Sequence, residues 1–558
     1  MNLHRPSTPQ LSAGRTGERP EYARYEDRSP ARPAETWNAD HPANVHGHRT
    51  RRIVVVGNGM VGARFAEEVR RRDPEAARVH LTVLGAEPRP AYNRVLLSTV
   101  LAGGLSPRSV QLHPTGWAAA QRIDLRIGTT VTGIDARRRR VHLDGGGVEP
   151  YDELVLATGS RAWLPPVPGL ADPTVTAFRD LADCERILAA VRPGVRFAVL
   201  GGGLLGCEAA RGLAARGVAV TLVHPESHLM ERQLEPDAGA VLAATMRRLG
   251  IDVRLATAVA CWERDVGLRC ADGSIVAADA LVVATGVRPE TGLAEAAGLT
   301  TDRGVVVDDR LATSAEHVSA IGDCARHPGS VSGLVQPGWE QAAVLADRLA
   351  AADPTARYLG TPAVTRLKAR DVDLATVGDP ADLIDDDNEV LRFTDTAGGR
   401  YAAVALRGDR LVGGAMIGLP QAAAAMVQFY DAGIPAPTDR LRLLLGRALP
   451  PEHRDQTDPE LSLGQTIICR CNSVTKDGVI DAVAHGCTTV AALSRVTRAG
   501  TGCGGCLERL TAMLTWAVGT DPIGEPAAGG DTSRNGRYEV TEQNPAHQTD
   551  ALAPAGPH

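Results

Sequence analysis

The chain has 558 residues, 44% of them hydrophobic, a net charge of −6 and ten cysteines. That length suits about three to four domains, and the acidic balance argues against a nucleic-acid-binding surface. No run approaches the roughly 20 apolar residues that span a bilayer, and the start lacks the charged-then-apolar plan of a secretory signal. Clustered rather than evenly spread cysteines suit metal ligation in a reducing compartment. The expectation is a cytoplasmic protein with no membrane and no nucleic-acid partner.

Residues 1–50 are rich in Pro, Arg, Glu, Ser and His without apolar periodicity and read as a disordered leader. Residues 51–165 then carry a buried strand, Ile53 to Val56, running into Gly57-Asn-Gly59-Met-Val-Gly62. In such a turn the first glycine permits the bend, the second lets backbone approach a pyrophosphate, and the third lets helix and strand pack closely. A second strand, His80 to Leu84, leads to Glu87, a candidate for ribose hydroxyls or an ordinary loop carboxylate. The four arginines 137–140 fall in a hairpin pattern and read as a solvated turn. The unit closes on Ala157-Thr158-Gly159.

The plan repeats over residues 166–290. Gly201, Gly203 and Gly206 follow a second buried strand, Glu208 comes two residues later, and Ala284-Thr285-Gly286 closes the unit. One glycine motif is weak evidence, but two with the same closing tripeptide indicate two dinucleotide-binding domains. The second strand of this repeat ends at His224, which favours neither NADH nor NADPH. The stretch Thr313 to Ala325 reads as a short strand ending at Gly322-Asp323 and opening a helix, which returns the chain (291–352) to the first domain. Asp323 is there either a ligand for a polyhydroxyl chain and phosphate or a plain helix cap.

Residues 353–447 read as an α+β domain, and 448–465 as a linker. Residues 466–517 hold Cys469-Arg-Cys471 and, thirty-one residues on, Cys503-Gly-Gly-Cys506. Four thiolates at these spacings form a zinc or iron–sulfur site. The short C-x-C and the glycine amides around Gly500 to Cys506 suit a [2Fe–2S] cluster, and zinc stays as the alternative. Val474 to Thr497 has helix–turn–helix patterning broken at Gly486. Cys487 reads as a buried small residue, and Cys184, Cys207, Cys261, Cys270 and Cys324 as structural. Residues 518–558 read as a disordered tail.

Together with Glu87-Pro-Arg-Pro-Ala-Tyr92-Asn93-Arg94, Gln336-Pro337-Gly338-Trp339-Glu340 and Thr365-Arg-Leu-Lys368, these motifs resemble the FAD-dependent pyridine nucleotide–disulfide oxidoreductases. Within that superfamily the chain looks like the flavoprotein part of assimilatory nitrite reductase large subunits and of assimilatory nitrate reductase electron-transfer subunits. The cysteine block is similar to the bacterioferritin-associated-ferredoxin-like [2Fe–2S] domain they carry. The resemblance implies an α/β fold with an NAD(P) domain inserted in an FAD domain, an interface domain and a small helical cluster domain. It places Gly57, Gly59, Gly62, Glu87, Arg94, Thr158, Gly159, Gly322 and Asp323 at FAD. It places Gly201, Gly203, Gly206, Glu208 and Gly286 at NAD(P)H, and Cys469, Cys471, Cys503 and Cys506 on the cluster.

No cysteine precedes Cys184, so the redox-active pair of the disulfide reductases is missing from the first domain. The implied route is hydride from NAD(P)H to flavin, then single electrons through the cluster to an assimilatory nitrate reductase or a separate sirohaem nitrite reductase. No catalytic acid or base is needed. Only 52 residues follow Cys506 and none is cysteine, so this chain alone is not expected to reduce nitrite. The alternatives are a ferredoxin- or rubredoxin-type reductase, or a flavoprotein gated by the cluster domain as a redox or iron sensor. The sequence leaves the assembly open, with a homodimer as the candidate.

Overall fold

The computed structural model describes residues 50–328, 333–367, 369–446, 467–469, 474–500 and 506–519. The leader at 1–49, the linker at 448–465 and the tail from 520 lie outside the described residues, as does Lys368.

Two parallel sheets carry the glycine turns. The first orders its strands Val318–Ala320, Glu153–Leu156, Arg51–Val56, Val79–Gly85 and Ile123–Ile127. The second orders Asp252–Arg254, Ala219–Val223, Arg196–Leu200, Ala280–Val283 and Val175–Ala177. Their central strands read as unbroken apolar runs because helices cover both faces; Ile53 to Val56 are at most 5% exposed. In each sheet the strand order reverses beside the central strand, so the glycine turn opens into the crevice where dinucleotides bind. Gly59 and Gly203 stand at the N-caps of the helices Met60–Arg72 and Leu204–Ala214.

The third sheet is antiparallel, ordered Val364–Leu367, Leu374–Val377, Arg410–Ile417, Arg400–Arg407 and Glu389–Asp395. Alternate residues of Arg400–Arg407 go to opposite sides, as the pleat requires. Ala402, Val404 and Leu406 pack under the helix Pro420–Ala432. Tyr401, Ala403 and Ala405 pack against the second dinucleotide unit.

The C-terminal helices Lys476–Ala484, Val490–Thr497 and Leu507–Gly519 surround Val479, Leu493 and Leu510, all fully buried. Thr475 and Thr489 cap the first two by accepting from the amides of Gly478 and Ala492. The break between them carries Gly486 at φ +94°, and Cys487 is 7% exposed in this small core, as a small apolar residue would be. The arginine run lies exposed at the turn between Val131–Asp135 and Arg140–Leu143.

One expected element differs. Gly322–Cys324 is a single 3₁₀ turn rather than the start of a helix, because Ala325–Arg326 immediately pairs with Val305–Val306. The helix comes later, at Val335–Leu349.

Candidate functional site

A cavity of about 2760 Å³ runs along the carboxyl ends of both parallel sheets. Gly57, Gly59, Glu87, Arg94, Thr158, Gly159, Gly201, Gly203, Glu208, Gly286, Gly322 and Asp323 all line it. Gly62 and Gly206 do not. A Cβ there would lie 2.0 Å from the Gly57 carbonyl oxygen and 1.8 Å from that of Gly201. These two glycines therefore set how closely each helix lies on its turn.

The two closing tripeptides brace one another across the units. Ser160–Ala162 pairs antiparallel with Val287–Pro289. Thr158 donates its hydroxyl to the Glu290 carbonyl (2.8 Å), and Thr285 donates to that of Trp163 (2.6 Å). Both hydroxyls are thus spent on holding the strand ends together, and it is the backbone at Gly159 and Gly286 that faces the cavity.

Three polar constellations surround the first glycine turn. Glu87 is held by Tyr92, whose hydroxyl donates to it at 2.9 Å, and by the Arg94 guanidinium. Its carboxylate is neither a free loop group nor fully enclosed, with 39% of the side chain exposed at the cavity. Burial, with Glu87 beside it, pushes the Tyr92 phenol up, so it stays a donor. Asp323 accepts from Ser160 (2.8 Å) and from Arg179 (2.9 Å) and, among the described residues, caps no backbone amide. The amide of Gly322 beside it donates to Gln341 on the helix Val335–Leu349 (2.7 Å). Asn58, between Gly57 and Gly59, lines the cavity and has a buried side-chain amide nitrogen with no hydrogen-bond partner among the described residues.

At the second turn His224 is a clamp. Its Nδ1 accepts from the Gly202 amide (3.0 Å), which places the proton on Nε2, 3.0 Å from Glu231. That hydrogen bond holds Glu231 below its ordinary range. The side chains left at the cavity wall beyond this strand include Glu226 and Arg232, of opposite sign.

Cys469 and Cys506 line the same cavity, 2% and 7% exposed. Cys471 and Cys503 lie outside the described residues. The Gly500 amide donates to the Cys506 sulfur at 3.1 Å. Arg509, also lining the cavity, is pulled down by burial while Cys506 raises it. Arg498, between the second and third C-terminal helices, reaches the first unit: it donates to the Leu112 carbonyl (3.1 Å) and to Glu67 (2.7 Å). Cys184, Cys207, Cys270 and Cys324 are buried and Cys261 is half-buried. Burial pushes the Cys184 thiol up to about 12 and raises Cys324 as well, leaving both protonated.

A family model described as pyridine nucleotide-disulphide oxidoreductase matches residues 51–344. The chain belongs to the pyridine nucleotide-disulphide oxidoreductase family. A second model, the BFD-like [2Fe–2S] binding domain, matches residues 467–516 of this oxidoreductase. Nitrite reductase [NAD(P)H] of Bacillus subtilis (strain 168) is 35% identical over 477 residues, 84% of this chain and 58% of that protein. The assimilatory nitrate reductase electron transfer subunit of the same organism is 32% identical over 86% of this chain and 62% of that protein. This oxidoreductase thus spans about three fifths of the curated relatives' length. Among solved structures, the covalent putidaredoxin reductase–putidaredoxin complex is similar at 26% identity and a TM-score of 0.65, covering 75% of this chain and all of that chain.

FAD, NAD(P)H and a [2Fe–2S] cluster are the cofactors of these two families, and the residues of this oxidoreductase fit them. A Cβ built on Gly59 or Gly203 meets nothing within 4 Å, so both turns leave room for a phosphate against bare backbone. The buried Asn58 donor, unpaired among the described residues, suits an acceptor supplied by a bound dinucleotide. Two buried sulfurs at the cavity, one already receiving an amide, suit a cluster better than solvent.

Residue patterns had not pointed to Asn58, Arg179, Arg498 or Arg509. Arg179 and Arg498 act on partners 144 and 431 positions away, and no local spacing announces such a pair. The Asn58 side chain was legible in principle, as the polar residue inside the first glycine turn.

Proposed function

We propose that this chain takes electrons from NAD(P)H and delivers them, through FAD and its own [2Fe–2S] centre, to an assimilatory nitrate reductase or a separate nitrite reductase. The observation that carries the reading is that Cys469 and Cys506 line the same cavity as both glycine turns, with no cysteine before Cys184 as an alternative exit. The names of the two Bacillus relatives supply the acceptor class. With the cofactors bound, the chemistry is a two-electron hydride transfer from nicotinamide to flavin followed by release of the electrons one at a time.

The chain's residues bind, orient and exclude water. Gly57 and Gly59 present the helix N-terminus to the FAD pyrophosphate, and Gly62 keeps that helix close. Glu87, with Tyr92 and Arg94 fixing its carboxylate, would accept from the adenosine ribose, and Arg94 would lie along the flavin. Thr158 and Gly159 close the FAD site. Gly322 and Asp323, the latter aimed by Arg179 and Ser160, hold the ribityl–phosphate end. Gly201, Gly203 and Glu208 take the nicotinamide dinucleotide, Gly206 packs its helix, and Gly286 flanks the nicotinamide. Cys469, Cys471, Cys503 and Cys506 hold the cluster, and backbone amides such as that of Gly500 tune it. We place this work in the cytoplasm; among the described residues no helix is long and apolar enough to cross a membrane.

The test is anaerobic mixing of the purified chain with NADH or NADPH, after iron and acid-labile sulfide are counted. Two irons and two sulfides per chain, flavin bleaching, and then cluster reduction within the turnover time support the relay. Stoichiometric zinc without sulfide, or a cluster that stays oxidised during turnover, overturns it. The similarity to a putidaredoxin reductase–putidaredoxin complex favours one rival, a reductase serving a separate carrier. That rival requires undiminished electron delivery from a chain lacking its own cluster.

A further inference from the structure

Arg498 occupies a backbone position that its residue type disfavours. It is the C-cap of the helix Val490–Thr497, in the left-handed conformation at φ +63°, where glycine is the unstrained choice. Glycine, however, has no side chain to reach across to another domain. The Arg498 guanidinium donates to the Leu112 carbonyl at 3.1 Å and to the Glu67 carboxylate at 2.7 Å. The ion pair is mostly enclosed, its side chains 24% and 18% exposed.

The far side of this contact is built to receive it. Glu67 lies on the helix Met60–Arg72, whose first turn follows Gly59 at the cavity. Arg64 donates to the second Glu67 oxygen at 3.0 Å, and His113 shares the first. His113 is itself stacked on Trp117, ring centroids 3.6 Å apart, so the carboxylate is held in place before Arg498 reaches it. On the near side, Gly500 is two residues from Arg498 and donates to the Cys506 sulfur. One short segment therefore touches the dinucleotide unit at one end and a cluster cysteine at the other.

We propose that Arg498 is a docking residue: through Glu67 and Leu112 it holds the cluster domain in register with the flavin-binding unit, and so sets the rate at which electrons cross between them. The proposal rests on the relay reading above, and the experiment separates the two. The variant is Arg498→Gly, which removes the guanidinium and relieves the left-handed strain together. Its cluster content and flavin reduction by NAD(P)H should equal wild type. Cluster reduction in single-turnover stopped flow should slow at least tenfold. Glu67→Gln should slow the same phase, and the double variant should be no slower than Arg498→Gly alone, as expected for one shared contact.

A second readout needs no cofactor. In hydrogen exchange on the cofactor-free chain, segments around Leu112 and the helix Met60–Arg72 should lose protection in Arg498→Gly. Flavin-to-cluster transfer at the wild-type rate overturns the docking role, as does loss of the cluster, which would make Arg498 a merely structural cap. A wild-type chain whose cluster is never reduced by NAD(P)H overturns the relay instead. The exchange experiment then still decides docking, unchanged protection counting against it.

Discussion

A methyl group has opposite consequences at neighbouring glycines of this chain. At Gly206 it would sit 1.8 Å from the Gly201 carbonyl oxygen, while at Gly203 it would meet no protein atom within 4 Å. Gly203 is at φ −74°, so alanine is conformationally acceptable there. Gly206→Ala should therefore destabilise the second unit by about 1–3 kcal/mol through overpacking, seen as a lower unfolding midpoint. Gly203→Ala should leave stability and flavin content unchanged and, on the proposed placement of NAD(P)H at this turn, raise its KM several-fold. Equal effects of the two on stability would refute this division of labour. The packing role of Gly62 and Gly206 was legible in the sequence, since motif spacing alone marks the third glycine as the one that lets helix and strand pack closely. Asp323 was legible as a position but not in its connections. Its partners Ser160 and Arg179 lie 163 and 144 residues away, and only folding reveals that its carboxylate is aimed rather than capping.

The apolar strands and the repeated turns show at the level of elements because parallel strands buried on both faces are continuous apolar runs. The stretch after Asp323 reads wrongly for a physical reason: two residues of pairing with Val305–Val306 capture the backbone before a helix can nucleate. Strand Arg400–Arg407 hides its two roles in the same way, since both faces are apolar and no alternation marks which one meets the second unit. The structure identifies that face by a buried polar contact. The Tyr401 hydroxyl donates to Glu235, which is 6% exposed and also accepts from the Asp237 amide at the start of the helix Pro236–Arg248. Tyr401→Phe keeps the ring and strands one oxygen of a buried carboxylate, at a cost of about 1–3 kcal/mol. Chemical denaturation should show the transition of the second unit moving to lower denaturant, with cluster-domain signals unmoved. An unshifted transition would mean that the Glu235 oxygen finds another donor.

Across the whole molecule, one contact that joins the cluster domain to the dinucleotide unit among the described residues is ionic, and its pH dependence follows from Glu67. Burial pushes the Glu67 carboxyl up, but the His113 hydrogen bond and the Arg498 and Arg64 guanidinium groups outweigh it and bring it to about 2 from an ordinary 4.5. A depressed carboxyl stabilises the folded form fully above its unfolded value and ceases to do so as pH falls through the folded one. The Glu67 contribution should therefore be constant above about pH 4.5 and fade toward pH 2. Wild type and Glu67→Gln should then differ in stability by a constant amount at neutral pH and converge in acid; a difference that grew in acid would reverse the sign assigned to Glu67.

Cys506→Ser asks whether electrons must pass through that joined domain. Removing one thiolate should cost the cluster, while the two glycine turns, built on separate sheets, keep FAD and NAD(P)H. Flavin bleaching by NAD(P)H should proceed at near the wild-type rate, and a dye that accepts electrons directly from flavin should still be reduced. Delivery to the proposed nitrate or nitrite reductase acceptor should fall to background, because the first domain has no cysteine to serve as a second exit. The expectation also depends on the serine chain keeping its Arg498 contact, which hydrogen exchange at Leu112 and the helix Met60–Arg72 can verify in the same preparation. With docking intact and delivery undiminished, the flavin would be reaching its partner directly, and the cluster domain would be a sensor rather than a conductor.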